Sequence, residues 1–353
     1  MHTLGIDLHK RSSVWVLIDD QYHELFKENV ACHPKYISTA IKKLPVETTD
    51  IKVALEPACG WRWISKQLLE AGMDVHIANP KKVRLIAESK QKHDLGDARV
   101  LANLLHSGYF PEAHMVSDDT YALRLLLRER AFLVGLRRSA KNRLHGIATT
   151  QGLHLIKGGN PLWKSGKKDI MSGQNMVLKE IHLLIEDLDR RIVPFDQELS
   201  LQVEKYPISS ILMTMPGVGT LTALTVIAEV ENFSRFPSAK HLASFAGLVP
   251  RQRSSGNKVR FGSITHQGSR MLRTAMVETA MRIRKSNAPE LYSFVERLSP
   301  ICGAKKARVA LGRKLLCIIW KMATTHTPYK KEAVLSSSSC NTNLSNLDTA
   351  SGV

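Results

Sequence analysis

Residues 3–18, TLGIDLHKRSSVWVLI, decide how this chain starts. Two apolar, β-rich runs, TLGIDL (3–8) and SVWVLI (13–18), follow one another. A DDQ turn comes next, and a third strand is expected around Tyr22–Glu28, completing a strand–turn–strand meander. Residues 36–44 read as helix. IKVALE (51–56) is a fourth strand, continuous enough in apolar character to be buried on both faces. GWRWISKQLLEAG reads as a helix stopped by Gly72 in the manner of a C′ glycine. MDVHIANP (73–80) is a fifth strand, and KKVRLIAES and DLGDARVLANLLHSG are helices.

The order βββαβαβα predicts a mixed sheet with helices on its faces, a ribonuclease-H-like layout. From about Asp118 the pattern changes. TYALRLLLRERAFLVGLRRSAKNRLHGIA is a long basic helix with apolar residues at i, i+3 and i+4. After a Gly-rich break, KGGNPLWKSGKKDIMSGQ, a second amphipathic helix carries Leu183, Leu184, Leu188 and Ile192 as its apolar stripe. The two helices predict an antiparallel hairpin or coiled-coil arm. Arg124, Arg128, Arg130, Arg137, Arg138, Lys141 and Arg143 on the first helix would allow it to track a phosphate backbone. The domains expected are 1–110 (α/β), 111–205 (helical arm), 206–330 (mainly helical) and 331–353 (a Ser/Asn-rich disordered tail).

The chain has 353 residues, 50 Lys+Arg against 32 Asp+Glu, and net charge +18. That excess favours a polyanionic partner, nucleic acid before membrane. Cys32, Cys59, Cys302, Cys317 and Cys340 are scattered without metal spacing, and read as reduced thiols of a cytoplasmic protein. No apolar run approaches the ~20 residues of a membrane helix.

Four acids stand out against the basic background. Asp7 and Glu56 end apolar strands, and Asp94 and Asp97 open a helix, three residues apart on one face. Taken singly, Asp7 equally reads as a turn cap and the Asp94/Asp97 pair as a helix start favoured by the dipole. Together they predict a Mg²⁺ site, because this ion takes hard oxygen ligands and offsets carboxylate repulsion. In the third section Pro216-Gly217-Val218-Gly219, between apolar helices, reads as a helix–hairpin–helix turn in which Gly217 and Gly219 let backbone amides approach a phosphate; a plain tight turn is the competing reading. RQRSSGNKVRFGSITHQGSR reads as a basic loop. Its Ser255-Gly256 pair offers either a phosphate-binding turn or a serine nucleophile flanked by Arg251, Arg253, Lys258 and Arg260.

GID, LEPACGWRW, ANPKKVR, KHDLGDARVLANLL, MPGVG and FAGLVPRQRSSGNKVRFGSITHQGSRMLR, in that order, resemble DEDD-type transposases of the insertion-sequence 110 family, with GSITHQGSRMLRT closer to its IS-eleven-eleven subgroup. The likeness runs from about Thr3 to Met322. It implies a RuvC-like N-terminal domain with Asp7, Glu56, Asp94 and Asp97 as ligands of Mg²⁺, two ions in all. It also implies an oligomerising arm and a C-terminal transposase domain with Ser255 as nucleophile. Partners would be donor and target DNA and a structured bridge RNA that guides recombination through a phosphoserine intermediate, in a dimer or tetramer. Ser254 is a local rival of Ser255. His266-Gln267-Gly268 stands where the family often has Lys-x-Gly, which implies a phosphate contact that is either weaker or made by Arg270 or Arg273. The alternative is a RuvC-like Mg²⁺ endonuclease or junction resolvase that activates water; Tyr292 and Tyr329 stay open as other nucleophiles.

Overall fold

The computed structural model describes residues 2–86, 94–151, 175–255 and 258–330. The break at 157–174 and the tail from 331 lie outside them. The chain folds as two compact units, Met1–Met115 and Val116–Val353.

The first unit is built on a five-stranded sheet, order β3-β2-β1-β4-β5, from β1 (His2–Leu8), β2 (Ser12–Ile18), β3 (Glu24–Ala31), β4 (Ile51–Leu55) and β5 (Asp74–Ile77). β2 runs antiparallel to β1 and β3, whereas β4 is parallel to β1 and β5, so the sheet is mixed as predicted. Strand alternation sorts the residues onto two faces. Leu4, Ile6, Leu8, Trp15, Leu17, Val53 and Leu55 pack on one, against Ile37 and Ala40 of α1 (Pro34–Lys43) and Ile64 and Leu68 of α2 (Trp61–Glu70). Val14, Val16, Ile18 and Ala54 face the other. There they meet Ala98, Ala102 and Leu101 of α4 (Asp94–His106) and Val83 of α3 (Pro80–Ile86).

Local chemistry sets the element ends. Asp19 accepts from the Gln21 and His23 amides at 2.8 Å, and these bonds hold its carboxyl below the usual range; the third strand accordingly starts at Glu24 rather than Tyr22, which sits in the turn with φ +64°. α1 starts two residues early because His33 caps it and Pro34 fits the first turn. α2 ends in a Schellman motif, as its glycine predicts: Gly72 N–H bonds Leu69 O, Met73 N–H bonds Leu68 O, and Gly72 has φ +88°.

The second unit opens with α5 (Asp118–Thr150) and α6 (Met176–Gln202), packed antiparallel. Arg130–Asp196 (2.5 Å) and Arg137–Asp189 (2.5 Å) bind them, seven residues apart on each helix. The buried seam of α6 is Leu178, His182, Ile185, Leu188, Ile192 and Leu199. Leu183 and Leu184 are exposed, a correction to the stripe expected from sequence: the seam admits the polar His182 and so hides its own period. α7 (Ile208–Met213), α8 (Thr220–Val230), α9 (Ala239–Phe245), α10 (Arg270–Arg282), α11 (Pro289–Cys302) and α12 (Ala304–Thr325) enclose one core that includes Leu212, Val226, Leu242, Leu272, Met276, Leu291, Leu311 and Leu315.

Candidate active site and nucleic-acid interface

Asp7 and Glu56 are neighbours at one sheet edge. Ile6 pairs with Leu55 in the parallel register of β1 and β4, and each acid is the next residue. Both belong to the α4 face: Asp7 lies two residues beyond Gly5, and Glu56 two beyond Ala54. The Asp7 side chain is 13% exposed, with His9 Nε2 3.4 Å from its Oδ2.

α4 is pressed onto β1 at Gly5. A methyl group there would collide with the Ala98 carbonyl oxygen and sit 2.8 Å from Ala102 N, so only glycine lets the two backbones approach. The helix runs against the direction of β1, because His106 at its far end meets Thr3 (Oγ1 to Nδ1, 3.4 Å). From Gly5 to Asp7 the strand advances about 6.6 Å, which about four helical residues match. That register brings Asp94–Asp97 to the level of Asp7. Asp97 is exposed; the Asp94 side chain is outside what the structure describes. Among the described residues no three His, Cys, Asp or Glu side chains are gathered as a ready metal-binding group. The fold therefore brings together the elements that carry the four acids, and places Asp7 beside Glu56. The donor chemistry, all carboxylate oxygen in a half-buried edge, fits a hard divalent cation.

The segment expected as a basic loop is a hairpin, β6 (Pro250–Ser255) and β7 (Lys258–Ile264), with Gly256 and Asn257 between the strands and outside the described residues. This is a correction: β6 is too polar to read as a strand, and the two-residue Gly-Asn connection was the available signal. Ser255, opposite Lys258, is the last residue of β6. The base of the hairpin is clamped. Gly247 (φ +68°) and Gly268 (φ +102°) lie where side chains would strike Gln267 and Phe245. Thr265 N–H bonds Val249 O, and Ser269 N–H bonds Phe245 O. Arg273 donates to Ala246 O at 3.0 Å, so it fastens this clamp, while Arg270 is exposed. Arg251 reaches Thr265 O at 3.4 Å. Arg235 stacks on Phe236 and Phe245 at 4.3 and 4.8 Å, and burial pulls its pKa down.

In the Pro216–Gly219 turn the glycines differ. Gly217 has φ +80°, and a Cβ would meet Thr279 O at 3.2 Å, so packing against α10 already explains it. Gly219 has open space around it and precedes α8. Four arginines of α5 expected at phosphate have partners within the protein, and Arg128 keeps an exposed side chain. Arg124 donates to Ala228 O (2.7 Å) and Glu229 O (3.1 Å), Arg128 pairs with the buried Glu229, and Arg130 and Arg137 pair with α6. Tyr329 donates to Glu290 at 2.9 Å, and burial and that carboxylate push its ionisation well up, which makes it a poor nucleophile. Tyr292 lies under Arg308, 5.3 Å away. The partners of these arginines were not legible in the sequence because they lie 52 to 105 residues away.

No helix among the described residues is long and apolar enough to cross a membrane. Residues 4–150 match the DEDD transposase model of IS110 type, and residues 209–296 match the model "Transposase IS116/IS110/IS902 family". The chain is 27% identical to the transposase for insertion sequence element IS1111A of Coxiella burnetii, covering 93% of this chain and 91% of that one. It is 25% identical to the transposase for IS1328 of Yersinia enterocolitica, covering 93% and 98%. Over 125 residues it is 35% identical to the pilin gene-inverting protein of Moraxella bovis, covering 35% and 39%. Two models of one family span both units, and its transposases align end to end; the chain therefore belongs to the IS110 family of DEDD transposases, enzymes that cut and rejoin DNA.

Proposed function

We propose that this transposase recombines donor and target DNA with Ser255 as nucleophile, a divalent metal at Asp7, Glu56, Asp94 and Asp97, and a bridge RNA that selects the sites by base pairing. The observation that carries the reading is the register of α4 on β1, which sets Asp94–Asp97 level with the adjacent Asp7 and Glu56. Four carboxylates converging on this edge of a +18 protein would repel one another unless a cation joined them. A bound Mg²⁺ would supply charge neutralisation at the scissile phosphate.

The hairpin register supports the serine assignment. By strand alternation residues 253, 255, 258 and 260 belong to one face of the ribbon, and 252, 254, 259 and 261 to the other. Ser255 thus shares a face with Arg253, Lys258 and Arg260, whereas Ser254 is paired with Val259. Arg253 is the register partner of Arg260. Ser255 would attack the phosphorus, forming a P–Oγ ester while the P–O bond to the departing strand breaks and the serine proton passes to that leaving oxygen. A hydroxyl of the incoming strand reverses the exchange. The ester conserves the phosphodiester energy, so no nucleotide hydrolysis is needed; a G-x-x-x-x-G-K-[ST] loop does not occur in the chain.

The test is a denaturing gel of protein, element-derived RNA, donor and target DNA and Mg²⁺, with wild type beside Ser255→Ala and Asp7→Ala. A protein–DNA adduct lost in both variants supports the reading. Cleavage without adduct that survives Ser255→Ala overturns it in favour of a water-activating nuclease. Adduct formation independent of the RNA removes the guide.

A further inference from the structure

Three segments far apart in sequence meet at the C-terminal end of α10. Gly217 packs on Thr279 and Ile283. Arg308, in the second turn of α12, donates to Ala280 O (2.6 Å) and Ile283 O (2.7 Å), so the start of α12 abuts the same end. The intervening turn is rigid: Arg284 N–H bonds Asn287 Oδ1 at 2.8 Å, and Asn287 Nδ2 bonds Arg282 O at 3.1 Å. This frame presents Arg282, Arg284 and Lys285 beside Lys305 and Lys306, all exposed. Among the described residues none of the five has an ion-pair partner, although Glu278 lies one helical turn before Arg282. Lys305 and Lys306 also open α12 at its positive end, with no acid in the first turn. Lysines there cost stability, and their placement needs an anionic partner to offset it.

We infer that the end of α10 and the start of α12 form a docking surface for the phosphate backbone of duplex DNA, read without regard to sequence. The patch bears charge on helix ends and no exposed aromatic among its described residues; the Tyr292 ring lies under Arg308. Single strands are gripped by stacking on aromatic faces, which this surface lacks, whereas a duplex offers a regular phosphate array to spaced cations. The surface shares no residue with the serine hairpin or the four acids and does not depend on their assignment.

The experiment measures binding of full-length protein to an arbitrary duplex of about 40 base pairs in chelator, so no chemistry intervenes, at several salt concentrations. Three variants are compared with wild type: R282A/R284A/K285A, K305A/K306A and, as an equal-charge control, K35A/K42A/K240A. Each lost phosphate contact lowers the slope of log affinity against log salt by about 0.9. The first variant is expected to lose roughly two to three units, the second roughly one to two, and the control nothing. Equal slopes in all three overturn the surface. A fall in only one of the first two overturns a joint surface. A fall on an RNA duplex with none on DNA overturns the assignment to DNA. Melting temperatures matching wild type in all variants exclude unfolding as the cause. The adduct assay of Ser255→Ala reads the recombination chemistry separately, so either proposal can fail alone.

Discussion

Gly5→Ala is a small change with a large expected effect. The new methyl would overlap the Ala98 carbonyl and sit 2.8 Å from Ala102 N and 3.0 Å from Ala102 Cβ. Two of these three atoms are backbone, so no rotamer change relieves the contact. Restoring van der Waals distance requires α4 to lift by roughly 1.5 Å. Overpacking of this kind costs about 3 kcal/mol, the upper end of its usual range. For a unit of this size that lowers the melting temperature by roughly 10–20 °C. The same lift draws Asp94–Asp97 away from Asp7 and Glu56, and displacement of about 1 Å at a reacting site costs on the order of 100-fold in rate. Chemical unfolding and the strand-exchange gel measure the two effects. Ala102→Gly in the same chain should not rescue it, because the Ala98 carbonyl remains. A Gly5→Ala protein within about 0.5 kcal/mol of wild type, with normal exchange, would refute the register on which the site rests.

Other predictions follow from the same geometry. Gly135, inside α5 with nothing within 4 Å, should gain about 0.5–1 kcal/mol on replacement by alanine, read by thermal melting. Gly268→Ala combines positive φ with a collision at Phe245 and should cost about 2 kcal/mol or more while reducing adduct formation. Arg124→Ala should destabilise by about 2 kcal/mol, because two carbonyls at the end of α8 lose their donor, and leave the salt dependence of DNA binding unchanged. Tyr329 has a folded-state pKa raised above its ordinary value of 10.0 by burial and Glu290. Its contribution to stability is therefore complete below pH 10 and declines as pH rises beyond it. Tyr329→Phe should cost about 1 kcal/mol at neutral pH and flatten the alkaline loss seen in melts.

The strands of the first unit were legible because they are apolar, β-rich runs broken by turn residues, and that continuity is what burial on both faces of the sheet produces. Gly72 was legible for the same local reason, a backbone conformation only glycine adopts readily. The acids could be picked out by type and position, but their relative placement depends on how α4 crosses β1, and no residue near Asp94 reports that. Gly5 does, and only once its neighbours are known. The β6–β7 hairpin escaped notice because PRQRSS has no apolar alternation. What fixes it is the clamp at its base, made by Phe245, Gly247, Gly268 and Arg273 across more than twenty residues. The partners of the α5 arginines were not legible because an unpaired cation and one bonded to a distant carbonyl look alike in sequence.

That clamp also sets a mechanical tolerance. The hairpin rises from its base at Pro250 and Ile264 to Ser255 and Lys258, about five residues or roughly 17 Å of strand. It is a lever with its load at the tip. Turning the base by 10° would swing Ser255 by roughly 3 Å, and a nucleophile at Ser255 held within ~0.5 Å would limit the base to about 2° of play. Two glycines seated against the backbone of Gln267 and Phe245, with the Arg273 guanidinium bonded beside the first, make such a stiff bearing.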